Sequence, residues 1–120
     1  MGKFVISDSS EGYRFLLKSS RGEIIGLGPY CETKAKIDEK RRYVERNVVS
    51  APIEDSTGKY PGSHNNPKFV IFKDENDMYR YNFLDEKGDC ILTSTAYLDF
   101  DRVVKTIANV RQTIRGHLNG

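Results

Sequence analysis

The chain predicts an α+β protein built from two tandem β-β-β-α repeats, whose strands join in one six-stranded antiparallel sheet with two helices packed on one face. Three observations carry this. First, the sequence repeats itself at an offset of about 66 residues: Lys3-Phe4-Val5-Ile6 returns as Lys68-Phe69-Val70-Ile71, Tyr13-Arg14-Phe15 as Tyr79-Arg80-Tyr81, and Arg21-Gly22-Glu23 as Lys87-Gly88-Asp89, while Tyr30 has a counterpart in Tyr97. Second, each copy runs short strand-like segments into one segment of helical spacing. Third, the 120-residue length suits one domain. A unit of roughly 50 residues is marginal alone, so the two copies are expected to share a core. The boundaries read as 1–49 for the first repeat, 50–67 for a linker and 68–120 for the second repeat.

Lys3 to Ser7 is β-branched and aromatic, the composition of a short strand. Asp8 to Gly12 is polar and reads as a hairpin loop. Tyr13 to Ser19 alternates, with Tyr13, Phe15 and Leu17 on one face and Arg14, Leu16 and Lys18 on the other. Ser20-Arg21-Gly22 is a tight connection in which Gly22 supplies a positive φ. Glu23 to Leu27 is the third strand, closed by Gly28-Pro29. Thr33 is placed to cap a helix running to about Val48, its hydroxyl accepting from an orphaned N–H.

Lys68 to Lys73, Met78 to Leu84 and Asp89 to Ser94 are the strands of the second copy, and Asp99 caps a helix to about Arg115. Phe100, Val103, Val104, Ile107, Val110 and Ile114 fall on one helical face, the expected core stripe. Between the copies, Ser50 to Pro67 holds three of the four prolines among polar residues and reads as an exposed linker.

The composition narrows function. A net charge of +2 neither demands nor excludes a polyanionic partner. Cys31 and Cys90 form no Cys-x-x-Cys pair and read as free thiols of a reducing compartment. No apolar run reaches the length of a membrane span. Strand residues begin at Lys3, which leaves no room for a signal peptide, and Ile6 breaks a myristoylation motif that needs Ser or Thr there. The expectation is a cytoplasmic protein without a membrane association. His64 lies in the linker and His117 near an end expected to fray. No metal-ligand spacing, phosphate loop or Ser-His-acid set is present in the sequence, so no catalytic, cofactor or metal residue is assigned. Cys31, near a helix start, has no evident base and reads as structural.

Taken together, Lys3, Phe4 and Ile6, Tyr13 to Phe15 with Leu17 and Lys18, Gly22 to Ile25, Tyr30 and Lys34-Ala35 resemble the YegP-like family, small domains of uncharacterised function often found in tandem. Lys68, Phe69, Ile71, Tyr79, Arg80, Gly88 and Tyr97 carry the likeness in the second copy, and Pro52-Ile53-Glu54-Asp55 is similar to the family's linker. The resemblance implies a single antiparallel sheet with each helix exchanged onto the neighbouring repeat. It implies no activity, catalytic residue or cofactor. Where the family's helix usually carries a Gly-Ile pair, this chain has Lys40-Arg41 and Thr106-Ile107.

Two surfaces remain as candidate interaction sites. If both helices cover one face of the sheet, the other is open. That face would carry Arg14, Leu16 and Lys18 beside Phe72, Arg80 and Asn82, with Val5 and Val70. Such a face can be a solvated surface, can dock a protein, can pair with itself, or can hold a single-stranded nucleic acid through phosphate contacts and base stacking. The first helix is basic at Lys40, Arg41, Arg42 and Arg46, with Asp38, Glu39 and Glu45 interleaved. It is either a solvent-facing helix laced by pairs such as Asp38–Arg42, an electropositive patch for an acidic partner, or one wall of a small pocket lined by Tyr30, Asp38 and Arg41. The functional expectation is a non-enzymatic interaction module whose partner, protein or nucleic acid, is not specified. The alternative is weak, sequence-tolerant binding of single-stranded nucleic acid through the open face and the basic helix, and a small enzyme or ligand binder ranks last. Because the second repeat already completes the assembly, a monomer is expected rather than a homo-oligomer.

Overall fold

The computed structural model describes residues 2–119, with side chains through Gly116. Alternation in the second strand sets the layering. Strand β1 (Lys3–Ser9) pairs antiparallel with β2 (Gly12–Lys18), setting Phe4 opposite Leu17 and Ile6 opposite Phe15. Phe15 and Leu17 are fully buried. Successive strand side chains point to opposite faces, so Arg14, Leu16 and Lys18 lie on the other side. Strand β3 (Ile24–Leu27) and helix α1 (Lys34–Asn47) complete the first half; β4 (Ile53–Asp55) follows, and β5 (Lys68–Lys73), β6 (Tyr79–Leu84), β7 (Cys90–Thr93) and α2 (Phe100–Asn119) form the second.

The strands lie in the order β1-β2-β3-β7-β6-β5-β4, and the halves meet where Leu27 pairs with Thr93. The sheet is therefore seven-stranded and mixed, not six-stranded and antiparallel, and the halves are unequal. The added strand is β4, which runs parallel to β5 with Ile53 beside Phe69, Glu54 beside Val70 and Asp55 beside Ile71. It lies in the segment expected to be an exposed linker. The Phe69 N–H donates to the Pro52 carbonyl at 2.9 Å and the Ser56 N–H to the Ile71 carbonyl at 2.9 Å, so β4 satisfies backbone groups that the edge of β5 would otherwise leave to water. Three residues are too few to show a period-2 pattern.

The matching hairpins use different side chains for one geometry. Gly22 and Gly88 both take positive φ, 80° and 87°, and their N–H groups donate to the Ser19 and Asp85 carbonyls. The Ser19 hydroxyl accepts the N–H of Glu23, as the Asp85 carboxylate accepts that of Asp89. Isolated bridges join Tyr13 to Cys31 and Tyr79 to Tyr97. Cys31, rather than Tyr30, is thus the structural counterpart of Tyr97.

Both helices pack on the face that carries Phe15, Leu17, Phe69, Ile71, Tyr81 and Phe83. The Thr33 hydroxyl caps α1, accepting from the Lys36 N–H at 3.2 Å, and the Asp99 carboxylate accepts from the Arg102 N–H at 2.9 Å at the start of α2. Helix α1 lies over its own β2 and over β7 of the other half; α2 lies over its own β6 and over β3. The helices are thus shared across the seam, which corrects the implied simple exchange. Val103, Ile107, Val110 and Ile114 are fully buried, as the helical spacing predicts, but Val104 is 37% exposed beside the 55–64 segment. Thr106 and Thr113 are buried instead, and the Thr106 hydroxyl donates to the Arg102 carbonyl at 2.8 Å. Helix α2 continues past Arg115 to Asn119. The expectation about His117 concerns a side chain outside the described residues.

Candidate functional site

A single row of paired residues crosses the helix-free face from edge to edge: Val5, Leu16, Leu27, Thr93, Asn82, Val70 and Glu54. It is apolar over the first half, and polar at the seam where the Thr93 hydroxyl donates to Asn82 Oδ1 at 2.8 Å. At its far end stands Glu54, ion-paired to Lys68 at 3.0 Å. Phe72 pairs with Arg80, and Lys3 with Lys18, on the same side of the row but in opposite halves of the sheet. Arg14, Leu16, Lys18, Phe72, Arg80 and Asn82 are therefore brought together on one face.

The two arginines of that face are anchored. Arg14 donates through Nε to the Gly28 carbonyl at 3.1 Å and through Nη1 to the Tyr30 hydroxyl at 3.3 Å, with its guanidinium 4.5 Å from the Tyr30 ring centre. Arg80 donates through Nη2 to the Ser94 carbonyl at 3.1 Å and approaches Asp74 at 3.8 Å, while its buried Nε has no partner among the described residues. Gly28 and Ser94 occupy equivalent places after β3 and β7. Each arginine thus reaches across its own half of the sheet to hold the chain leaving the third strand of that half. This job was hidden in the sequence, because Arg14 and Gly28 are linked only by the β2–β3 fold-back.

Arg41, Arg42 and Arg46 lie elsewhere, on the helix layer behind the sheet. Arg41 bridges Asp38 and Glu45 and sits 6.0 Å from the Phe4 ring centre. Arg42 donates to the backbone carbonyl of Asp38 at 3.4 Å, so the expected Asp38–Arg42 side-chain pair is replaced by Asp38–Arg41. The sheet face and the basic helix do not merge into one surface.

A groove of about 810 Å³ does open beside α1, against the β6–β7 hairpin. Tyr30 lines it with Lys36, Tyr43, Arg46, Glu86 and Lys87, whereas Asp38 and Arg41, expected there, do not. The Tyr43 hydroxyl accepts the Glu86 N–H at 3.1 Å. Burial, then the neighbouring Glu86, push the Tyr43 phenol up to about 12, and the Tyr43 hydroxyl in turn holds the Glu86 carboxyl below its usual range. Both groups move away from neutral pH, opposite to what general acid–base chemistry needs. Cys31 is buried with its thiol toward the Pro29 carbonyl, and both cysteines are free. Among the described residues, no helix is long and apolar enough to cross a membrane, and no cluster of His, Cys, Asp or Glu is placed to hold a metal ion.

Comparison with known proteins places the architecture. No family model matches the chain, and no curated protein matches it significantly in sequence. Two solution structures do match. One is the yegP protein of unknown function from E. coli, 20% identical, with a TM-score of 0.76 over 94% of this chain and 85% of that one. The other is a UPF0339 protein from Shewanella oneidensis, 19% identical, with a TM-score of 0.76 over 95% of this chain and 85% of that one. The likeness read from the repeated residues and the likeness of the folded chains converge: the fold is the one seen in the yegP and UPF0339 proteins.

Proposed function

We propose that the chain is a non-enzymatic interaction module that presents the helix-free face of its sheet to a protein partner. The observation that supports this is the row Val5–Leu16–Leu27, continued beyond the polar seam by Val70 and flanked by Phe72, on a face that no described element covers. A solvated antiparallel face ordinarily alternates to polar residues. Here the apolar side chains persist, and the arginines that would read phosphate are instead tied to Gly28 and Ser94. The same reading takes the two halves as copies of one β-β-β-α unit and the protein as a cytoplasmic monomer. Affinity capture with the intact chain and with Phe72→Ser or Leu16→Ser as bait tests it. A partner retained at 0.5 M salt (on the order of a few-ångström Debye length) and lost on either substitution is the expected result. Capture indifferent to both substitutions refutes the proposed face.

A second reading, single-stranded nucleic acid, is favoured by Lys3 and Lys18, which stand side by side on this face with no acidic partner among the described residues. Fluorescence anisotropy of labelled single-stranded DNA and RNA separates the readings. Nucleic-acid binding falls steeply with salt and is lost in Lys3→Gln/Lys18→Gln. That pair is a cleaner probe than Arg14→Ala/Arg80→Ala, which also removes the anchors to Gly28 and Ser94.

A further inference from the structure

We propose that the outer edge of β1 is a docking site for an extended acidic segment of a partner protein, which adds as an eighth strand parallel to β1. This site is the sheet's edge, separate from the face described above. The other half of the molecule shows what such an occupant looks like. In the second half, β5 stands where β1 stands in the first, and its outer edge is filled by Pro52-Ile53-Glu54-Asp55-Ser56. No described strand lies outside β1.

Three features of β1 match those that β4 satisfies on β5. The first is the backbone. The Phe15 carbonyl accepts the Gly28 N–H on the β3 side. In an antiparallel pair, a residue's N–H and C=O point the same way, so Phe15 directs its groups away from β1 and its opposite number, Ile6, directs its own out of the sheet. Ile71, opposite Tyr81, is placed the same way, and its carbonyl takes both the N–H and the hydroxyl of Ser56, each at 2.9 Å. The second feature is apolar cover. Ile6 is 44% exposed although it lies on the helix side of the sheet, whereas Ile71 is 0% exposed. The third is charge. Lys68 is neutralised by Glu54 of the added strand at 3.0 Å. Lys3 occupies the corresponding place, lies directly across from Lys18, and has no acidic partner among the described residues. Like charges directly opposite on paired strands repel, and an acid on an added strand would relieve that repulsion.

An exposed, regular edge is a template for strand addition, in which main-chain hydrogen bonds supply affinity and alternate side chains supply choice. The occupant is therefore a segment with an apolar residue toward the helices followed by an acid toward Lys3. The test uses the chain's own segment as probe, a capped peptide of the sequence Ser50 to Gly58, titrated into the isotopically labelled full-length protein. The expected result is amide shift changes along Lys3–Ser9 with Lys68–Lys73 unmoved. The same peptide N-methylated at the position of Ser56, which lacks the donor for the Ile6 carbonyl, binds at least about tenfold more weakly, and so does the unmodified peptide with Lys3→Glu protein. The proposal is overturned by no shifts at millimolar peptide, by shifts on β5 showing displacement of β4, or by equal binding of the methylated peptide. A concentration-dependent dimer that perturbs β1 without peptide also overturns it, because the edge then belongs to a second copy of this chain.

Discussion

Tyr81 shows how much one hydroxyl contributes. Its counterpart in the first half is Phe15, and both rings are fully buried on equivalent strands. Only Tyr81 donates a hydrogen bond, at 2.6 Å, to the Ile25 carbonyl of the other half. Burial drives its phenol pKa well above the ordinary value, so the ring remains a neutral donor. Tyr81→Phe leaves that carbonyl unmatched and is expected to lower stability by about 1–2 kcal/mol in urea unfolding; an unchanged midpoint would show that the bond contributes nothing net. Gly26 lies against the same hydroxyl. A Cβ there would sit 2.8 Å from Leu92 Cδ1 and 3.0 Å from the Tyr81 hydroxyl. Gly26→Ala is therefore expected to cost about 1–3 kcal/mol through overpacking, read in the same experiment. Arg111 is a third cross-half tie, donating to the Val48 carbonyl at 3.1 Å and to the Ala51 carbonyl, with its guanidinium 5.4 Å from the Phe69 ring centre. Burial lowers its pKa from the ordinary arginine value. None of these partnerships shows in the sequence, because each joins residues far apart in the chain.

Among the elements, α2 is the most legible. Its apolar spacing predicted the stripe that the fold buries, Val104 excepted, and Ile107→Ala is expected to destabilise by about 2–5 kcal/mol in chemical denaturation. Strand β4 was the least legible, and it carries the clearest pH dependence. The Glu54 carboxyl is held below its usual range by the His64 N–H and by Lys68. Burial works to raise Asp55, but the Thr57 hydroxyl and the N–H groups of Tyr60 and Thr57 outweigh it and leave its pKa lowered. Both folded pKa values lie below the unfolded ones. Their contribution to stability is therefore complete above the ordinary carboxylate range and fades as pH falls through the folded values, below about pH 4. Unfolding midpoints measured from pH 6 down to pH 2 should decline, and Glu54→Gln/Asp55→Asn should flatten that decline. An equally steep fall in the double variant would place the acid sensitivity elsewhere.

For the whole molecule, sharing is the organising fact. Each helix covers strands of both halves, and Tyr81, Tyr43 and Arg111 tie one half to the other. The fragment 1–49 retains α1 but loses α2, which covers its β3, and loses β7, which pairs with that strand. It is expected to be unfolded, or to dimerise and rebuild the seam. Circular dichroism and sedimentation of the fragment decide this, and a folded monomer would contradict the shared core.

The sequence by itself determined what is local and periodic. The alternation of Tyr13 to Lys18 chose the two faces, Thr33 and Asp99 placed the helix starts, and Gly22 and Gly88 placed the turns. It also grouped the sheet-face residues correctly, since a period of two sends Arg14, Leu16 and Lys18 to one side whatever the tertiary arrangement. Only the tertiary structure decided what depends on long-range proximity. It turned part of a polar linker into a parallel strand, gave Arg14 and Arg80 carbonyls to hold, set Arg41 between two acids behind the sheet, and placed β4 beside β5 while no described strand lies outside β1. The physical reason is that hydrogen bonds and ion pairs between distant segments depend on which chains meet in space, and local propensity and hydrophobic period carry no record of that meeting.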